Sequence, residues 1–305
     1  NCMKVLVITG GTSSERRISL ISAKEVKKSL EKEKYRVELF DLKKGYLALK
    51  KLLPEFDIFF PVLHGEEGEG GELQEFLKES KKRYVGGNPK GFKEGWFKIP
   101  FKSFCEKNKI TTAPWIIVKN LSEIKEFGFP SVLKGSSGGS SKEVVILKSP
   151  VDLKKKSCLD LVNSRFELYI EKYLTGIEAT VAILGNKTLP VIEIIPPKGS
   201  WFNYKNKYSG KTKEIVGAPS LSVAIKRKLQ KIAKTIHQKL KLGQYSRIDF
   251  IVSGKTPYCL EVNTIPGLTS QSLFPKAALA AGIPFPKLLD KIIKIAYANK
   301  IPQTK

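Results

Sequence analysis

Hydrophobic residues along this chain fall into short runs separated by glycine- and proline-rich turns. The spacing within each run predicts its element. Residues 4–9, KVLVIT, are apolar enough for a strand buried on both faces of a parallel sheet. The turn Gly10-Gly11-Thr12-Ser13-Ser14-Glu15 follows, then a helical pattern to about Leu30. Tyr35–Phe40 and Asp57–Leu63 read as strands, with helices over Lys44–Leu53 and Glu72–Lys78. This β-α-β order predicts a small doubly wound α/β domain over residues 1–86, ending at the cluster Gly86-Gly-Asn-Pro-Lys-Gly91.

Past that boundary the pattern turns to strand pairs. Trp115–Lys119, Pro130–Lys134, Glu143–Lys148 and Phe166–Ile170 read as strands, and Leu121–Phe127 as a short helix. Pro100 would break or kink a helix over Trp96–Asn108. Ala179–Leu184 and Thr188–Ile195 form a hairpin, and residues 199–219 a long polar-aromatic loop of the kind that acts as a lid. Ser222–Leu242 is a basic amphipathic helix, and helices over Ala277–Ala281 and Phe285–Ala298 close the chain.

The segment Ser246–Ser272 carries the most chemistry. In Arg247–Val252 the residues Ile248, Phe250 and Val252 point one way, and Arg247 and Asp249 the other. Tyr258–Thr264 places Leu260 and Val262 on one face and Glu261 and Asn263 on the opposite one. A turn at 253–257 joins them. Two carboxylates and an amide oxygen on one face are hard-oxygen ligands of the kind Mg²⁺ takes. A solvated face with an ion pair is the alternative. The hydroxyl-rich loop Thr264-Ile-Pro-Gly-Leu-Thr-Ser-Gln-Ser that follows favours a metal–phosphate site.

Other loops carry candidate chemistry with alternatives open. Gly135-Ser-Ser-Gly-Gly-Ser-Ser-Lys142 has the hydroxyls and glycines to wrap a triphosphate, or is a flexible hairpin tip. Glu15 stands at a strand's carboxyl end, where open α/β sheets bind ligands, or serves the helix start. His64 precedes a glycine-rich acidic loop, a place for function more than packing, whereas His237 reads as a surface or interhelix residue.

Composition narrows the classes. The apolar fraction is 41%, ordinary for a globular protein, and no apolar run is long enough for a membrane span. No signal-peptide pattern is seen, and Met3 is the single methionine, so Asn1-Cys2 are expected to precede the natural start. Four scattered cysteines predict free thiols in a reducing cytoplasm. The net charge of +25 suits a nucleic-acid binder, but the lysines are spread along the chain without a binding signature. A solvated lysine-rich surface accounts for them, and no nucleic-acid partner is expected.

Taken in order, GGTSSE, HGEEGEGGELQ, GSSGGSS, IEKYLTGIE, the Lys207-Tyr208 pair and SRIDF with LEVNTIPGLTSQSL resemble the D-alanine–D-alanine ligases of the ATP-grasp superfamily over nearly the whole length. The resemblance implies an N-terminal doubly wound preATP-grasp domain (1–86), then a two-part ATP-grasp fold of α+β domains, central (87–172) and C-terminal (173–305). It implies that Lys98 and Lys134 contact ATP phosphates while Ser140 and its loop close over them. Glu171, Lys172 and Leu174 would hold adenine, and Glu178 the ribose. Asp249, Glu261 and Asn263 would bind two Mg²⁺ ions, with Mn²⁺ able to substitute. Glu15 would pair with the first D-alanine's ammonium, with His64 nearby, and Arg247 and the Gly267 amide would face the oxyanion. Ser272 and Leu273 would receive the second D-alanine, and Tyr208 and Lys207 would come from the lid.

The implied activity is ATP-dependent joining of two D-alanines through an acylphosphate, for peptidoglycan precursors, in a cytoplasmic homodimer. Another carboxylate–amine ligase of the superfamily, or one taking D-lactate second, is the alternative. Tyr208 and Leu273 resemble the dipeptide-forming pattern. The chain departs from the family at Trp96-Phe97-Lys98 in place of Met-Asp-Lys, at Gly138 in place of a glutamate, at Lys142-Glu143, and at Gly70 in place of an aspartate.

Overall fold

Strand β1 (Lys4–Thr9) is buried along all but its first residue, as a continuous apolar run requires. It lies between β2 (Arg36–Asp41) and β3 (Ile58–Pro61) in a parallel sheet of order β2-β1-β3. This is a computed structural model, and it describes residues 2–137, 143–197 and 212–298. Gly10 and Gly11 take φ of +77° and +69°, a conformation open to glycine, and turn the chain from β1 into the helix Arg16–Lys32.

The second sheet is antiparallel, order β4-β7-β5-β6, from β4 (Trp115–Val118), β5 (Ser131–Gly135), β6 (Val144–Leu147) and β7 (Leu168–Lys172). The third is also antiparallel and runs β11-β10-β8-β12-β13, with β9 (Lys187–Thr188) pairing on β8. Its strands are β8 (Ile177–Leu184), β10 (Ile192–Ile195), β11 (Lys213–Val216), β12 (Tyr245–Ser253) and β13 (Thr256–Asn263).

Two segments pack where periodicity alone does not place them. The helices Pro89–Trp96 and Lys98–Lys107 precede the second sheet in sequence but bury Phe92, Phe101 and Phe104 in the core of the third, against Val181, Ile248 and Phe250. A Cβ on Gly91 would stand 1.7 Å from the Leu240 carbonyl oxygen, so only glycine permits that approach. The last helix, Phe285–Ala298, returns to the first sheet, where Leu289 and Ile292 share a core with Val5, Val7 and Val26. Tyr35 Oη donates to Asp290 Oδ1 at 2.8 Å across that seam.

Three expectations are corrected. Pro100 does not break the helix Lys98–Lys107, because it falls in the first turn, where no intrahelical N–H bond is lost. His237 is buried, not superficial: its Nε2 faces the Gly243 carbonyl at 3.1 Å and its Nδ1 the Ser246 hydroxyl at 2.8 Å. The β12–β13 pairing is interrupted by a bulge, since Asp249 opposes Glu261 but Phe250 opposes Cys259. The extra residue is Leu260, which leaves the face it was expected to share with Val262: Val262 and Cys259 are buried in the core of the third sheet, and Leu260 is half-buried at the cleft.

Candidate functional site

The second and third sheets, with the first turn of the N-terminal unit, enclose a cleft of about 750 Å³. Glu15, His64, Lys98 and Lys134 line it, as do Glu171, Lys172, Leu174 and Glu178. So do Arg247, Asp249, Glu261 and Asn263 on the hairpin, and Gly267, Ser272 and Leu273 after it. Thus each predicted site residue within the described segments reaches one cavity. Ser140, Lys207 and Tyr208, like Gly138 and Lys142, lie outside the described residues.

The hairpin face is an electrostatic mosaic. Strand alternation puts Arg247 and Asp249 side by side, with Nε–Oδ1 at 3.0 Å and Nη2–Oδ2 at 2.9 Å. Asn263 Nδ2 donates to Asp249 Oδ2 at 3.0 Å, and Thr180 Oγ1 donates to Asp249 Oδ1. Glu261 pairs with Lys98 at 3.1 Å. Burial works to pull the Lys98 ammonium down, but the carboxylates of Glu261, Glu69 and Asp249 outweigh it and hold it above its ordinary value. Two carboxylates and an amide converge here, each carboxylate already balanced by a cation. That donor set fits a hard divalent cation.

A buried ion cluster lies deeper. Glu171 on β7 bridges the ammoniums of Lys134 on β5 and Lys102 on the helix Lys98–Lys107. Burial alone would raise the Glu171 carboxyl, and the lysines bring it below the usual range. Lys102 is almost fully buried, and its Nζ also donates to Thr112 Oγ1 at 2.6 Å and the Ala113 carbonyl at 3.2 Å. The reading from sequence missed Lys102. Its only signal there was spacing, four residues after Lys98 and therefore on the same helix face.

The N-terminal loops are cross-tied. Glu67 accepts from the Thr12 amide at 2.6 Å and from the Thr12 hydroxyl at 3.0 Å, which fixes the turn before Glu15. Glu15 begins the helix Arg16–Lys32 but makes no side-chain cap; its carboxylate is buried and lines the cleft. Burial lowers the His64 imidazole, Glu15 opposes that effect, and Arg247 adds to it. Glu69, a second residue missed from sequence, is buried with its carboxyl pushed up to about 8, first by burial and then by Glu15. Phe97, where the family has an aspartate, is the N-cap of the helix Lys98–Lys107 and supplies no cap bond.

An N-terminal α/β unit followed by two antiparallel sheets closing on a cationic and acidic cleft is the ATP-grasp architecture. A family model described as the D-ala D-ala ligase C-terminus matches residues 97–294, and one described as the D-ala D-ala ligase N-terminus matches residues 4–52. The chain is 38% identical to the D-alanine–D-alanine ligase of Clostridium beijerinckii, over 96% of this chain and 98% of that one. It is 36% identical to that of Syntrophobacter fumaroxidans, over 96% and 97%. The crystal structure of the Bacillus anthracis D-alanine–D-alanine ligase superposes with a TM-score of 0.85 at 35% identity, covering 97% of each chain. The same enzyme complexed with ATP superposes at 0.84, with 33% identity and 97% of each chain covered. The chain belongs to the D-alanine–D-alanine ligase family.

Proposed function

We propose that this protein uses ATP to join two D-alanine molecules into D-alanyl-D-alanine, a peptidoglycan precursor. The observation that carries the reading is the convergence on one cleft of Glu15 from the first unit, Lys134 from the second sheet, and Arg247, Asp249 and Glu261 from the third. Family membership supplies the substrate class.

The chemistry proceeds in two displacements. A carboxylate oxygen of the first D-alanine attacks the γ-phosphorus of ATP, the bond to the β-phosphate oxygen breaks, and ADP leaves an acylphosphate. Lys98 and Lys134 offset phosphate charge, and most of the acceleration is positioning. Glu15 holds the ammonium of the first D-alanine, with His64 beside it. Glu171, Lys172 and Leu174 hold the adenine and Glu178 the ribose. The free amine of the second D-alanine, seated at Ser272 and Leu273, then attacks the acyl carbon. Arg247 and the Gly267 amide receive the oxyanion, and phosphate departs. Fixed donors in a dry cleft contribute several kcal/mol to such a step. Asp249, Glu261 and Asn263 would hold two Mg²⁺ ions, which would supply charge neutralisation at the phosphates when bound. Ser140, Lys207 and Tyr208 complete the set as the grip loop and lid, which exclude the water that would hydrolyse the acylphosphate.

In this reading residues 1–86, 87–172 and 173–305 are the three domains, and the protein works as a homodimer in the cytoplasm. The four free cysteines, three of them buried, support a reducing setting. No helix among the described residues is long and apolar enough to cross a membrane. The test is ADP release and product mass spectrometry with ATP, Mg²⁺ and D-alanine, alone and mixed with D-lactate. A D-alanyl-D-alanine mass is expected. No D-alanine-dependent ADP from a folded, ATP-binding protein would overturn the reading, and a depsipeptide as main product would reassign the second substrate.

A further inference from the structure

The Gly267 amide can serve an oxyanion only if the loop after β13 is held still, and the structure shows what holds it. Glu69 ends the one-turn helix Glu66–Glu69 within the glycine-rich acidic segment of the N-terminal unit. Its Oε2 accepts from the Gly65 amide at 3.1 Å, within its own segment. Its Oε1 faces the Ile265 amide and the Thr264 hydroxyl, both at 3.5 Å, across some 196 residues of chain. His64, at the start of the same segment, also hydrogen-bonds the Ile265 backbone. Ile265 lies two residues ahead of Gly267 and two after the end of β13. The Glu69 side chain is 7% exposed and lines the cleft.

We propose that Glu69 is a positioning residue, its carboxyl strapping the Thr264–Ile265 segment to the His64 loop and so fixing the Gly267 amide for the acyl-transfer step. This rests on reading Gly267 and Arg247 as the oxyanion donors. The groups facing Glu69 set its charge. Glu15 at the start of the helix Arg16–Lys32 raises its affinity for a proton, Lys98 lowers it, and the Tyr245 phenol on β12 also feels it. With burial the largest influence and a resulting value of about 8, the carboxyl is mostly neutral at pH 7. The neutral acid still accepts from both amides and adds no negative charge beneath a developing oxyanion. Ionisation above pH 8 places a second anion near Glu15 and opposes that step.

Two readouts test the proposal. Amide hydrogen exchange of the substrate-free chain reads the strap directly. Glu69→Ala is expected to speed exchange at Ile265 and Gly267 about tenfold or more, while Glu69→Gln, which keeps an accepting oxygen, stays near wild type. In dipeptide synthesis Glu69→Ala is expected to lower kcat about tenfold or more with KM for ATP little changed. The wild type is expected to lose kcat above about pH 8, and Glu69→Gln, rescued at neutral pH, to lack that alkaline limb. Unchanged exchange in Glu69→Ala, or an alkaline limb retained in Glu69→Gln, would overturn the proposal. If the wild type made no dipeptide, the functional reading would fail, while hydrogen exchange would still decide the strap.

Discussion

Arg247 and Asp249, two residues apart on one face of β12, meet side-on through two hydrogen bonds of 3.0 and 2.9 Å. The pair joins the residue read as the oxyanion donor to one read as a metal ligand. A guanidinium braced this way is pre-aimed, because Asp249 is itself held by Thr180 and Asn263.

Arg247→Lys keeps the charge and loses the fork. Dipeptide formation is expected to fall about 100-fold or more, with KM for ATP little changed, as for removal of a single oxyanion donor. Steady-state kinetics of both substrates would check it, and a near wild-type kcat would remove Arg247 from that role.

Glu261→Gln keeps shape and loses one of the two carboxylates that the β12–β13 hairpin turns to the cleft. The variant is expected to fold, by circular dichroism, and to lose most turnover even at high Mg²⁺. Turnover near wild type would mean that Glu261 does not hold the metal.

Lys102 and Lys134 together neutralise Glu171. Lys102→Met leaves a buried carboxylate with one ammonium, and breaking such a cluster costs about 3–5 kcal/mol. A lower urea midpoint and a raised KM for ATP are expected, since Glu171 lines the cleft where adenine is proposed to bind. Unchanged values of both would mean that Lys102 does not hold Glu171 in place.

His237 is buried, and burial lowers its imidazole to about 4 against an ordinary 6.5. The unfolded chain therefore binds a proton between pH 6.5 and 4 that the folded one does not, so stability is full above pH 6.5 and falls through that window. The loss is about 3 kcal/mol at the acid end. Urea unfolding at pH 7 and pH 4 should show that drop in the wild type and a smaller one in His237→Gln. An equal drop in both would show that folding does not hold the His237 imidazole neutral.

Phe97→Asp restores an N-cap to the helix Lys98–Lys107. It is expected to add about 1 kcal/mol of stability. Thermal denaturation would show it, and no gain would mean that the family's aspartate serves something other than the cap.

Much of the fold was legible because most of its signals are local. The buried run of β1, the β12–β13 alternation and the glycine turn before Glu15 follow from side-chain periodicity and backbone sterics, which act over a few residues. The family motifs likewise named residues that share one cleft. What sequence left open depends on contacts between distant segments. Periodicity could not register the bulge that turns Leu260 into the cleft, because one extra residue shifts the face of a strand without changing its composition. Nor could it bury Lys102, whose charge is tolerable only beside Glu171, or His237, whose ring is satisfied by Gly243 and Ser246. Glu69 looked like one acid in an acidic loop. Its meeting with Ile265 exists only once the chain between them has folded back, and burial there, not residue type, decides whether it carries a charge.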